Sequence, residues 1–407
     1  MSTTLTTERT FTLPSGAPAA ARVVFGLLRN LAHGTLDVQL PDGSLARFGS
    51  GEAPRASIRL ADWRVCAAAL KSGDIGFAEC FIDGGWSSPD LAALLRVFTA
   101  NRDAVERVVY GSRWGALLHR VRHLLNRNTR RGSRRNIHAH YDLGNAFYRL
   151  WLDETMNYSS ALFEGDLARP SADAQGAKIR RALAESGIGP GQRLLEIGCG
   201  WGALAETAAR ERGAHVTGVT RSSEQLAFAR ERLVRAGLAP MADLRLQDWR
   251  DIDGGPFDAV VSIEMFEAVG REYWGAFFDA LRRQLKSGGR ACIQTITIRG
   301  DLFERYVKST DFIQQYIFPG GLLPSPEAFR AEARRAGFEV VNELAFGTDY
   351  AETLRRWRLR FLAEQQQVLR LGFDQRFLRI WEFYLAYCEA AFDTGNTDVM
   401  QFTLQRD

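Results

Sequence analysis

Residues 194–202 read LLEIGCGWG. Leu194, Leu195 and Ile197 make the end of a buried strand, and the turn-forming Gly189-Pro190-Gly191 stands just upstream. Gly198, Gly200 and Gly202 then fall at every second position, and residues 203–211 carry a helical pattern. Glycine takes positive φ without steric cost and lets a ligand approach the backbone without meeting a Cβ. Strand, glycine turn and helix form the opening unit of a doubly wound α/β sheet, whose ligands sit at the carboxyl ends of the strands. A tight turn with no ligand is the plain alternative, and the agreement of both flanks argues against it.

Two cofactors compete for such a turn. Dinucleotide enzymes use G-x-G-x-x-G, with an acidic residue about twenty positions on for the ribose. Here the spacing is G-x-G-x-G, preceded by Glu196, and the next strand, residues 215–219, ends in Thr220-Arg221-Ser222 with no acid. That disfavours NAD. An acidic residue two before the first glycine is a feature of S-adenosylmethionine (SAM) methyltransferases. Its carboxylate can accept hydrogen bonds through the loop and from the ammonium of the methionine moiety.

Working outward, residues 223–236 read as a helix with Gln225 in its first turn, and residues 244–246 as a strand ending in Gln247-Asp248-Trp249. Asp248 can accept from an adenine amine and Trp249 can stack on the base. Further strands are expected over 257–263, 290–298 and 338–345, with a helix over 273–285 and a helical, aromatic-rich stretch over 350–392. Residues 399–404 can close the sheet as a seventh strand. Alternating βα units of this length predict a Rossmann-like, mostly parallel seven-stranded sheet covered on both faces.

A chain of 407 residues has room for two domains. With 46% hydrophobic and 25% charged residues it can bury a sizeable core. The boundaries expected are 1–125 for a smaller amino-terminal α+β domain, 126–136 for a basic linker and 137–407 for the catalytic domain. In the first, residues 35–48 read as a hairpin turning at Asp42-Gly43, and Asp62 caps a helix through Leu70. The five cysteines are scattered and lack metal-ligand spacing, which points to a reducing cytoplasm and no metal. No signal peptide or membrane span is expected.

Net charge is only +4, so the distribution matters more than the total. Residues 113–135 hold eight arginines and no acid. Trp114, Leu117, Leu118, Val121, Leu124 and Leu125 share one helical face. A basic amphipathic helix is a membrane-surface signature, because anionic headgroups attract arginine while the apolar face enters the acyl boundary. A helix docked on the next domain beside a solvated charge run explains the pattern equally well. No nucleic-acid recognition motif accompanies the charge.

Several ordered motifs carry a specific resemblance. They are HYDLGNAFYRLWLD (140–153), MNYSSALFE (156–164), LLEIGCGWG, VTGVTRSSEQ (216–225), MFEAVG (265–270), YIFPGGLLPS (316–325) and FGTDYAETL (346–354). With GDIGFAECFIDGGW (73–86) and FYLAYCEAAF (383–392), the chain resembles the cyclopropane-fatty-acyl-phospholipid synthase family, which includes the mycolic acid cyclopropane synthases. The resemblance implies SAM-dependent methyl transfer to a cis double bond of a phospholipid acyl chain. Together with the basic stretch, which favours anionic lipid, the expectation is peripheral work at the cytoplasmic face of a membrane, with no nucleic acid as partner and a homodimer allowed. The expected cofactor contacts are Tyr158, Ser159, Glu196, Gly198, Cys199, Gly200, Gly202, Thr220, Gln225, Asp248 and Trp249.

An alkene attacking a sulfonium methyl leaves a carbocation that must be shielded from water. Aromatic faces attract a cation by about 0.5–2 kcal/mol each. Tyr141, Tyr158, Phe163, Phe266, Tyr316, Phe318 and Tyr350 are candidates. Ring closure needs a base, and in the family a bicarbonate held by Cys, Glu, His and Tyr is the expected one. Here Ser160 stands for that cysteine and Gln294 for that histidine, while Glu267 and Tyr350 remain. His140 and Cys388 also fall in matched motifs. Either bicarbonate is held by Ser160, Glu267, Gln294 and Tyr350, or the cation takes another course and a methyl or methylene branch results. Two other readings are a SAM- or lipid-binding protein without catalysis and a small-molecule methyltransferase. The intact Glu267 and glycines weigh against the first, and the amino-terminal domain and basic stretch against the second.

Overall fold

The computed structural model describes residues 12–102 and 143–407. The basic stretch 113–135, the linker 126–136, His138, His140 and Tyr141 lie outside the described residues. The chain divides into two compact units, Met1–Leu118 and His119–Asp407.

In the first unit, α1 (Ala19–Leu28) buries Ala21, Phe25 and Leu28, one helical face. Strands β1 (Thr35–Gln39) and β2 (Leu45–Gly49) pair antiparallel, with Leu36 opposite Phe48. Their hairpin turns at Asp42-Gly43, where the Asp42 carboxylate accepts from the Ser44 N–H at 2.9 Å. Strand β3 (Arg55–Leu60) adds parallel to β1. Helix α2 (Arg64–Ile82) runs well past the expected end at Leu70, leaving helical geometry only at Gly73. Strand β4 (Trp86–Ser87) completes a sheet of order β2-β1-β3-β4. Helix α3 (Leu91–Ala100) is capped by Asp90, which accepts from the Ala93 N–H at 3.0 Å.

The second unit begins, among the described residues, with α4 (Asn145–Arg149) and α5 (Ser171–Ser186). Then come β5 (Arg193–Ile197), α6 (Ala203–Arg212), β6 (His215–Thr220), α7 (Ser223–Arg235), β7 (Ala242–Leu246), β8 (Phe257–Ile263), α8 (Trp274–Gln284) and β9 (Leu285–Ile298). Helices α9 (Gly300–Tyr306), α10 (Phe312–Tyr316) and α11 (Pro326–Arg335) lead to β10 (Phe338–Ala345). The stretch expected to be helical over 350–392 is α12 (Gly347–Ala363), α13 (Gln365–Arg370) and α14 (Gln375–Asp393), and β11 (Thr397–Arg406) ends the chain.

The seven-stranded sheet has the order β10-β11-β9-β8-β5-β6-β7. Strands β5 to β9 pair parallel, and β11 runs antiparallel between β9 and β10. From β5 the chain steps outward through β6 and β7, then returns to β5's other edge with β8. That reversal opens a crevice at the carboxyl ends of β5 and β8. Strand β5 is buried from Leu194 to Ile197, as parallel strands covered on both faces are. Glu196 is the one polar residue in that run.

Candidate active site

Beyond Ile197 the backbone folds back on β6: the Gly198 and Cys199 N–H groups both donate to the Val219 carbonyl at 3.0 Å. Gly198, Gly200 and Gly202 take φ of +90°, +48° and +83°. At Gly202 the glycine is needed for space, since a Cβ would come 2.9 Å from that of Ala229 on α7. At Gly200 a Cβ would meet nothing within 4 Å. It would stand in the open cavity that this loop lines.

One cavity is lined by Gln247, Trp249, Lys178 and Glu264 together with the glycine turn. Of the expected cofactor contacts, Tyr158, Ser159, Glu196, Gly198, Cys199, Gly200, Thr220, Gln225 and Trp249 line it, and Gly202 and Asp248 do not. The Asp248 carboxylate is occupied by Arg221 and by Arg250, whose Nη2 donates at 2.7 Å. Burial pushes the Asp248 pKa up, but the Arg250 hydrogen bonds and the Arg221 charge outweigh it and hold it below the usual range. Glu196 is buried and pushed up to about 8, chiefly by desolvation, with Lys178 and the Ala205 N–H opposing. Its Oε2 has no hydrogen-bond partner. A buried, unpartnered carboxylate oxygen beside an open glycine cradle fits a ligand that brings an ammonium, as the methionine end of SAM does.

The residues expected to hold bicarbonate are arranged differently from expectation. Ser160, Gln294 and Tyr350 do come together, but around Glu264. Glu264 Oε1 accepts from the Ser160 N–H at 2.9 Å and from Gln294 Nε2 at 2.7 Å. Its Oε2 accepts from the Tyr350 hydroxyl at 2.7 Å. The atoms expected to surround bicarbonate therefore surround a carboxylate of the chain itself. The Ser160 hydroxyl turns away and donates to the Ala161 carbonyl at 2.9 Å. Glu264 holds φ +48°, a region costly for any residue with a Cβ, by roughly 1–3 kcal/mol. The packing and three donors around it hold that conformation.

Glu267, expected in this role, does not line the cavity. It follows β8 in a short 3-10 turn, and its Oε1 accepts from the Ile296 N–H of β9. Its Oε2 is buried without a partner. Burial, then the neighbouring Glu264 charge, pushes its pKa up to about 8. Burial raises Glu264 too, while Ser160, Lys178, Tyr350 and Gln294 all favour its charged form. Two close carboxylates cannot both ionise cheaply, and of the two Glu264 has the three donors that favour a charge.

Lys178 was not anticipated. It is fully buried on α5, and its Nζ donates to Ser159 Oγ at 2.6 Å. Desolvation pulls its pKa down to about 8 against the charges of Glu264, Asp153 and Glu196. Its signal in the sequence was the spacing Ala174, Lys178, Ala182, which places a cation on the helix's buried face.

The aromatic candidates divide. Tyr158 shares a 2.7 Å hydroxyl contact with Tyr384 and packs its ring near Tyr148, Trp151 and Trp357. Tyr350 packs on Phe392 and Trp357. Tyr316 stacks on Phe312, and Phe318 lies 6.1 Å from Tyr384. Phe266 belongs to the core, among Trp274, Phe277, Phe278 and Phe329. Phe163 lies under the Arg356 guanidinium, 4.6 Å from its ring centre. Cys388 sits one turn beyond Tyr384 on α14, its thiol pushed up by burial.

The family model described as mycolic acid cyclopropane synthetase matches residues 128–402. The chain belongs to that family. Tuberculostearic acid methyltransferase UfaA1 of Mycobacterium tuberculosis is 40% identical over 400 residues, 96% of this chain and 92% of that protein. The cyclopropane-fatty-acyl-phospholipid synthase of Escherichia coli is 31% identical over 391 residues, 91% of this chain and 96% of that protein. A crystal structure of mycolic acid cyclopropane synthase CmaA1, complexed with SAH and CTAB, aligns with a TM-score of 0.63 at 35% identity. It covers 67% of this chain and 98% of that one. The two relatives spanning both units carry different product names, so the family does not choose between a ring and another methylated product.

Proposed function

We propose that this SAM-dependent methyltransferase of the cyclopropane synthase family methylates the double bond of an unsaturated phospholipid acyl chain and leaves a methylene branch. One observation carries the reading: the Glu264 carboxylate, with three donors on it, lines the same cavity as Glu196 and the glycine turn. S-adenosylmethionine, when bound, supplies an electrophilic methyl on a sulfonium. Glu196 and the turn at Gly198–Gly200 would hold its amino-acid end, and Thr220, Gln225 and Trp249 would hold the rest. Asp248 supports this end indirectly, by fixing Arg221 and Arg250.

The alkene π pair would form the new C–C bond to that methyl as the methyl–sulfur bond breaks, its electron pair going to the sulfur of the departing neutral thioether, and a cation would be left on the neighbouring carbon. Tyr158 and Tyr350 shield it, and ionised Glu264 stabilises it. A 1,2-hydride shift moves the cation onto the methyl-bearing carbon. Glu264 Oε2, with a lone pair free beside the Tyr350 bond, accepts a proton from the methyl, and a C=CH2 branch remains. One methyl cation enters and one proton leaves, so no reductant is needed; a saturated branch would require a separate hydride donor. Earlier proton loss, before the shift, would close a ring instead. A fixed carboxylate with three hydrogen bonds is a weaker base than a loosely held one, and Gln294 cannot titrate where a histidine could. Both favour the later proton loss. The 40% identity to a protein named a methyltransferase supports the same side.

The arginine-rich stretch 113–135 is the proposed docking element for an anionic membrane surface, at the cytoplasmic face. No helix among the described residues is long and apolar enough to cross a membrane. The test is to incubate the protein with labelled SAM and vesicles of unsaturated phospholipid. Mass spectrometry detects the added carbon, and proton NMR separates vinylidene from ring CH2. Ring CH2 alone, made with a bicarbonate requirement, overturns the branching reading.

A further inference from the structure

We propose that Arg181 and Gln401 form a polarity relay that holds Glu264 in its ionised, proton-accepting state, and that both are positioning residues. The proposal rests on the reading of Glu264 as the base.

Gln401 on β11 and Gln294 on β9 stand directly opposite each other in the antiparallel ladder. Both are fully buried. Arg181 lies on α5, with its side chain 19% exposed and Glu185 3.5 Å away. A guanidinium can only donate. The Gln401 atom 2.5 Å from Arg181 Nη1 is therefore its carbonyl oxygen. That commits the Gln401 amide nitrogen to the other side, where it lies 2.9 Å from Gln294 Oε1 and 3.4 Å from the Lys178 carbonyl. Gln294 must accept there, so its own nitrogen faces Glu264 Oε1 at 2.7 Å. The last atom of the chain can then only accept.

A glutamine cannot titrate, but it can point two ways. Reversed, Gln294 would set a carbonyl oxygen against Glu264, and only a protonated Glu264 could answer it. The arginine removes that choice from a distance. The other groups facing Glu264 are Lys178 from α5, Tyr350 from α12, Glu267 from the turn after β8 and the Ser160 N–H. They favour or oppose the charge on Glu264, but none orients Gln294.

The experiment uses the full chain and four variants. Gln401→Leu cuts the relay, Arg181→Gln frees its direction, Arg181→Lys keeps a donor-only cation, and Glu264→Gln removes the group read out. Calorimetry with SAM checks that the cofactor site is intact. Difference infrared spectroscopy against Glu264→Gln follows the Glu264 carboxyl band with pH, and turnover is measured over the same range. In Gln401→Leu and Arg181→Gln the Glu264 titration and the acid limb of turnover should both move up by about one pH unit, the effect of one lost hydrogen bond to a carboxylate. Arg181→Lys should restore the unshifted position. Should Gln401→Leu fail to fold, Arg181→Gln carries the same test from a partly exposed position. An infrared titration that does not move in Arg181→Gln overturns the relay. Undiminished turnover in Glu264→Gln would instead defeat the reading of Glu264 as base, and the infrared titration would still decide the relay.

Discussion

Two parts of the site are built differently. The glycine cradle comes from consecutive residues: one strand, one glycine turn and the first turn of the next helix. The surroundings of the proposed base take Glu264 from beyond β8, Gln294 from β9, Tyr350 from α12 and a backbone N–H from the segment before α5. A local site announces itself through spacing. A site assembled from four distant segments shows only as scattered polar residues in apolar surroundings.

Breaking the surroundings of the proposed base should have the largest effect. Glu264→Gln should lower turnover by roughly 10²–10⁴, the usual contribution of a positioned base. SAM affinity by calorimetry should stay within a small factor, and turnover near the original level would place the base elsewhere. Glu264→Gly sharpens the point. It relieves a +48° φ and leaves the Ser160 N–H, Gln294 and Tyr350 donors facing an empty space. Added formate or bicarbonate should restore part of the turnover in this variant and have no effect on the original protein.

Breaking the glycine cradle should separate from this. Gly200→Val puts a β-branched side chain at φ +48° and into the open cradle. SAM binding should drop below calorimetric detection while circular dichroism stays native. Retained affinity would remove the cofactor from this turn.

Glu267→Gln tests the division between the two carboxylates. The folded pKa of Glu267 is raised from 4.5 to about 8. A raised carboxylic acid loses stability relative to the unfolded chain as pH rises from its ordinary value through the folded one, and the loss is complete above it. The variant should therefore match the parent near pH 4 and exceed it in Tm by a growing margin up to about pH 8. Turnover should fall far less than in Glu264→Gln. A Tm difference that shrinks as pH rises would mean that Glu267, not Glu264, carries the charge. The smallest effect concerns the membrane. Binding to anionic vesicles should weaken as salt is raised past physiological strength, because charges in water are screened beyond about 10 Å at 0.1 M. Equal binding to neutral vesicles at high salt would rule out the electrostatic part.

Much of this was legible before any fold was known. Residues 194–202 placed the first strand and its ligand turn, and the β11 segment was anticipated as the strand that closes the sheet. Ser160, Gln294 and Tyr350, expected around bicarbonate, all meet at Glu264. Glu264 was passed over for Glu267, because both acids follow the same strand and the resemblance pointed to the second. The three-residue offset decides which carboxylate enters the cavity, and the backbone turn at Glu264 sets that offset. Gln401 carried no signal of its own beyond being a polar residue in DVMQFTLQ.

The sequence by itself determined the α/β sheet, the turn for the cofactor and the family, because these rest on periodicity, glycine placement and motif order within short stretches. Only the tertiary structure decided which glutamate the donors face and which glutamine backs Gln294. Those choices depend on strand register and on a helix laid across two strands, contacts between residues as much as 223 positions apart. Hydrogen bonds lose their strength beyond about 3.5 Å, so identity along the chain cannot stand in for that distance.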